Sequence, residues 1–132
     1  MRYYAVFDTN VLISSLLTKR TDTATAQVVD AISSGLIIPL YNQEILDEYT
    51  DVLHRAKFSF SEERIGRLMT MIRQYGLAVN PSPTGEILVF YEVVMEKRED
   101  DAYLITGNIR HFPEGDFIVT PAEMMAIIEE NK

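Results

Sequence analysis

The chain has no cysteine, which excludes disulfides and thiolate metal sites and fits a cytosolic, cytoplasmic setting. Histidine is scarce: with only His54 and His111, a zinc site built on several imidazoles is not expected. No apolar run approaches the ~20 residues needed to cross a membrane. The opening Met1-Arg2-Tyr3-Tyr4 runs straight into a strand pattern, without the charged, apolar and cleavage regions of a secretory leader. Positive charge is also in short supply. Twelve Lys and Arg stand against 20 Asp and Glu, for a net charge of -8. That balance argues against gripping nucleic acid through a global positive field. Contact through bound cations stays open, because carboxylates gathered around a metal add to such a charge. Pairs such as Glu62-Glu63 and Glu129-Glu130 read as solvated surface.

What is present is a well-patterned apolar framework. The 132 residues, 47% hydrophobic, suffice for one domain with one core. There is no internal repeat and no low-complexity linker. The pattern predicts a strand over 2–7, helices over 9–18 and 22–34, and a strand over 35–40 opened by the helix-ending Gly35. Helices follow over 42–56 and 61–75, the latter capped by Ser61 with Glu62 and Glu63 in its first turn. A strand over 77–79 leads to Asn80-Pro81-Ser82-Pro83-Thr84-Gly85, a loop by its prolines and glycine. A helix over 88–98, strands over 103–106 and 117–119, and a final helix complete the chain. Thr120-Pro121-Ala122-Glu123 reads as a capping box with proline at the first helical position. Strands separated by helices predict an α/β fold, a parallel sheet covered on both faces.

Asp8-Thr9-Asn10 stands where the apolar run Tyr3-Tyr4-Ala5-Val6-Phe7 gives way to the helical run Val11-Leu12-Ile13. A carboxylate at the carboxyl end of a buried strand is placed to hold a cation, since α/β sheets put their ligand crevices there. All three residues are also good N-caps, and capping explains them on position alone. Glu48 falls on the margin of the apolar stripe Ile45, Leu46, Tyr49, Val52 and Leu53, while Glu44, Asp47 and Asp51 lie further round. It either faces a crevice beside the sheet or snorkels at the surface. Thr106-Gly107-Asn108 leaves an apolar strand as Asp8 does, either as a turn or as a polar ledge completing a site. Asp100 and Asp101 follow Glu96-Lys97-Arg98-Glu99 and read as a solvated helix end, with a supporting role for Asp101 open because it precedes the strand ending at Thr106. Lys19, Arg20, Arg110 and His111 are expected near the strand-end face, as candidate contacts to an RNA backbone or as plain surface. His111 reads as a turn residue rather than a base.

Four strings in order resemble the PIN-domain family, in the branch of toxin components of toxin–antitoxin pairs. They are Val6-Phe7-Asp8-Thr9-Asn10-Val11-Leu12-Ile13-Ser14, then Glu44-Ile45-Leu46-Asp47-Glu48-Tyr49-Thr50-Asp51-Val52-Leu53, then Phe90-Tyr91-Glu92-Val93-Val94, and finally the run from Asp101 to Pro113. The resemblance implies a three-layer α/β/α sandwich with a central parallel sheet and a nuclease that cuts RNA with Mg²⁺ or Mn²⁺. It matches Asp8 and Glu48 to the first two family acids, Asn108 to a position often filled by Asp, and Thr106 and Asn10 to supporting polar positions. Thr9 stands with them. It further implies an antitoxin partner and a homodimer paired through helices; no membrane contact is expected, for want of a long apolar run. The chain departs from the family at Thr84-Gly85-Glu86-Ile87-Leu88-Val89-Phe90, where an acidic run is normally found. Glu86 is the only carboxylate there and is the candidate third metal ligand. The shortened segment supports a rival reading, a non-catalytic binding or scaffold module. A metal-dependent phosphatase is a weaker third, because residue 10 is Asn where several such enzymes carry a second Asp.

Overall fold

The computed structural model describes residues 2–80 and 89–131. β1 (Tyr3–Phe7) enters α1 (Thr9–Leu17), followed by α2 (Ala24–Ser33) and β2 (Ile37–Tyr41). Then come α3 (Gln43–Leu53), α4 (Glu62–Tyr75), β3 (Leu77–Ala78), α5 (Val89–Glu96), β4 (Tyr103–Ile105), β5 (Ile118–Val119) and α6 (Pro121–Glu130). Short 3-10 turns stand at Ala56–Phe58, Arg98–Asp100 and Ile109–His111.

The five strands form one parallel sheet in the order β3-β2-β1-β4-β5. With the helices it makes an α/β/α sandwich, as the alternating pattern predicts. β1 lies at the centre, and its consecutive Ala5, Val6 and Phe7 are all buried, as a strand covered on both faces requires. α5 packs across β1, β2 and β4, and α2 packs on β2 and against α1, α4 and α6.

Most boundaries follow from caps. Asn42 accepts a hydrogen bond from the Ile45 amide at 2.9 Å, so α3 begins one residue later than its periodicity suggests. The strand expected from Gly35 begins at Ile37, because Gly35 (φ 82°) and Leu36 still donate to the carbonyls of Ile32 and Ala31 at the end of α2. Ser61 caps α4, and Thr120 and Glu123 form the expected capping box. The expected 88–98 helix ends at Glu96, with Arg98–Asp100 a separate turn. Where α4 hands over to β3, a side chain on Gly76 would meet the Ile72 carbonyl at 2.3 Å and the Pro39 carbonyl at 2.6 Å. Only glycine permits that approach.

The strand order fixes the site. From β1 the chain steps outward to β2 and β3, then returns to place β4 on the other flank of β1. The connections therefore diverge at the carboxyl ends of β1 and β4. A crevice opens at such a switch point, and open α/β sheets bind their ligands there.

Candidate active site

Asp8 leaves β1 and occupies the N-cap position of α1, yet its side chain makes no capping bond. It turns to β4 instead: the fully buried Thr106 hydroxyl donates to Asp8 Oδ2 at 2.7 Å. Its neighbours also reach across the fold. The Thr9 hydroxyl, from a residue only 5% exposed, donates to Glu48 Oε2 at 2.6 Å. Asn10 Oδ1 accepts from the Gly107 amide at 3.2 Å. Asp8 keeps one local contact, with the Thr9 amide, but the other polar contacts of these three side chains reach away from the helix start, and simple capping does not account for them. Each of those longer-range bonds ties α1 to a distant element, which local sequence cannot dictate.

The 106–108 segment is a ledge rather than a free turn. The Asn108 amide donates to Thr106 Oγ1 at 3.0 Å, continuing the chain of hydrogen bonds that begins at Asp8. The Asn108 side-chain nitrogen lies 3.0 Å from His111 Nε2. Tyr49, one residue after Glu48, is 1% exposed and donates its hydroxyl to the Phe7 carbonyl. Sequence reasoning placed Tyr49 in an apolar stripe and passed over its hydroxyl. The signal was available, because a buried tyrosine hydroxyl needs a partner.

The electrostatics follow from this geometry. Burial pushes the Asp8 carboxyl above its ordinary value. The Thr106 hydroxyl, the Thr9 amide and the charge of His111 pull it back in part. The Tyr49 hydroxyl is pushed well above its ordinary range by burial, then by the charges of Asp8 and Glu48. Both carboxylates are thus within electrostatic reach of one buried phenol. Among the described residues, neither Asp8 nor Glu48 takes part in a salt bridge. Two oriented carboxylates outside these salt bridges, flanked by hydroxyl and amide oxygens, fit a hard divalent cation. Among the described residues, no three His, Asp or Glu side chains come together as a metal-holding group. Glu86, the expected third ligand, lies outside the described residues.

The remaining candidates separate. Lys19 and Arg20 follow the far end of nine-residue α1, roughly 14 Å along its axis from Asp8. Arg20 is also clasped by Asp22 at 2.9 and 2.7 Å. The helix that starts at the site carries both away from the carboxylates. Arg110 is exposed in the turn that holds His111, beside Asn108. Asp101 stands before β4 and Thr106 after it, so Asp101 lies at the wrong end of the strand to support Asp8. Asp100 pairs with Lys97 at 3.3 Å, as a solvated helix end should.

A PIN-domain family model matches residues 4–110, most of the chain and every strand that builds the site. The chain belongs to the PIN-domain family. Comparison with curated proteins found no match. PIN domains are generally nucleases, which supports a nuclease-type activity for this chain. Among the described residues, no helix of this PIN domain is long and apolar enough to cross a membrane.

Proposed function

We propose that this PIN domain is an endoribonuclease dependent on Mg²⁺ or Mn²⁺, with Asp8 and Glu48 as its principal metal ligands. One observation carries the reading. Two carboxylates at the sheet's switch point are each oriented by a buried threonine hydroxyl and, among the described residues, neither is held in a salt bridge. A bound divalent cation acidifies water for attack on a phosphodiester and stabilises the leaving oxygen. The chain's own residues do the rest. Thr106 and Thr9 hold the carboxylates in one orientation, and Asn10 fixes the ledge that carries Asn108. Glu86 is the candidate third ligand. Arg110 is the basic side chain best placed to meet an RNA phosphate, while Lys19 and Arg20 could serve only a longer RNA that follows α1.

The resemblance to toxin components supports a finer reading: a cytoplasmic toxin, held by an antitoxin whose segment folds over the acidic crevice, and a homodimer. A segment suited to that crevice would carry basic side chains. The lack of a three-acid cluster among the described residues favours one rival, a binding module that kept the fold and lost activity.

Calorimetry with Mn²⁺, run beside single-stranded RNA cleavage, separates them. Native protein should bind Mn²⁺ and cut RNA, and the Asp8→Asn, Glu48→Gln double variant should do neither. A folded native protein that binds no Mn²⁺ at millimolar concentration, with or without RNA, would leave the binding-module reading standing.

A further inference from the structure

Phenylalanine would fill the space of the Tyr49 ring. The ring packs against Phe90 with centroids 5.9 Å apart, and the side chain is essentially closed to solvent. Taking a phenol hydroxyl into such a place is unfavourable unless it gains a hydrogen bond. Its partner is the Phe7 carbonyl, the last of β1 and the one directly before Asp8. One residue earlier on α3, Glu48 accepts from Thr9, the residue directly after Asp8. The pair 48–49 is thus fastened to the backbone before Asp8 and to the side chain after it. Among the described residues, the other polar contact from α3 to a neighbouring helix lies at its far end, where His54 meets Glu62 of α4, and near the site packing alone leaves room for a helix to slide or turn.

We propose that Tyr49 is a positioning residue, whose hydroxyl fixes the separation and mutual orientation of Asp8 and Glu48 by holding α3 to the end of β1. The inference rests on the reading of those two carboxylates as one metal site. It assigns Tyr49 no contact with metal or RNA. Two attachments are needed because one leaves a pivot. With Thr9 alone, Glu48 can swing about its own hydrogen bond. With Tyr49 added, the helix backbone beneath Glu48 is pinned as well.

The test compares Tyr49→Phe with Ile128→Val, a core truncation on α6 away from the site. Both should fold and lose a similar small amount of thermal stability. Only Tyr49→Phe should weaken Mn²⁺ binding, by about tenfold, the effect typical of removing a group that orients a metal ligand. In metal-free protein, the Asp8 and Val11 amides, bonded to the carbonyls of Ile105 and Asp8, should exchange faster in Tyr49→Phe than in Ile128→Val. Equal Mn²⁺ affinity in Tyr49→Phe and native protein overturns the inference while leaving the metal reading intact. If native protein binds no Mn²⁺, the metal reading fails and amide exchange alone decides. Faster exchange then keeps Tyr49 as the residue that positions the two carboxylates, and unchanged exchange removes it.

Discussion

The Thr106 hydroxyl and the Asp8 carboxylate meet at 2.7 Å across the seam between β4 and β1, joining residues 98 positions apart. Thr106 is fully buried and serves both sides of the seam, donating to Asp8 and accepting from the Asn108 amide. The shape-conserving Thr106→Val removes both bonds. Losing them should cost about 1–3 kcal/mol in chemical denaturation. Because that hydroxyl holds the Asp8 carboxyl down, carbon-detected NMR titration should find the Asp8 carboxyl pKa higher in the variant. An unchanged Asp8 titration would mean that the bond is not formed in solution.

Asp8 itself weakens the metal-free protein. Burial raises its folded pKa above the ordinary 3.8, so the folded state holds the proton more tightly than the unfolded chain. Below 3.8 the residue is protonated in both states and costs nothing. As pH rises through the raised folded value, ionisation removes stability, and at neutrality the whole cost is present. Asp8→Asn should therefore melt above native protein at pH 7 without metal, with the gap closing toward pH 4. The same variant should lose more than about a hundredfold in RNA cleavage, beyond the loss typical of groups that merely orient a ligand. Added Mn²⁺ should reverse the order of melting, since only the native protein gains from binding.

Asn108 offers a gain-of-function test. Its amide is two hydrogen bonds from Asp8, so Asn108→Asp sets a further carboxylate beside the crevice. Like charges repel, and the metal-free variant should melt below native protein at neutral pH. Affinity for a hard cation rises with ligand charge, so calorimetry should show Mn²⁺ binding roughly tenfold tighter. Unaltered affinity would place the metal away from this ledge.

His54 provides a pH dependence remote from the site. It joins the end of α3 to the start of α4, with Nδ1 2.7 Å from the Thr50 carbonyl and Nε2 2.9 Å from Glu62. Glu62, then the Thr50 carbonyl, raises its pKa above 6.5. Its contribution is complete below 6.5 and is lost as pH rises through the raised folded value. The pair is exposed and the effect correspondingly small and salt-sensitive. Thermal melts should show a slight fall across that window, which His54→Gln flattens.

The framework was legible because it is written locally. Buried runs such as Ala5-Val6-Phe7, and caps at Ser61 and Thr120, announce strands and helices within a few residues. The site was legible only in part. Asp8 could be recognised as a carboxylate at a strand end, but the choice between capping and crevice depends on Thr106, far away in sequence. Lys19 and Arg20 were expected near the strand-end face or as plain surface, and α1 carries them off along its axis from Asp8. Asp101 looked near because it precedes the right strand, though a strand has two ends. Tyr49 was counted as apolar because periodicity registers the ring and not the hydroxyl.

The strand order has a consequence for the chain as it is made. β1 is flanked on one side by β2, which follows soon after it, and on the other by β4, which comes only at Tyr103. A polypeptide leaves the ribosome N-terminus first, so β1 and β2 emerge before β4 has been made. Until β4 is made, one flank of β1 therefore has no strand to pair with, and Asp8 has no Thr106 to face. Whatever chemistry needs the completed ledge has to wait for that pairing.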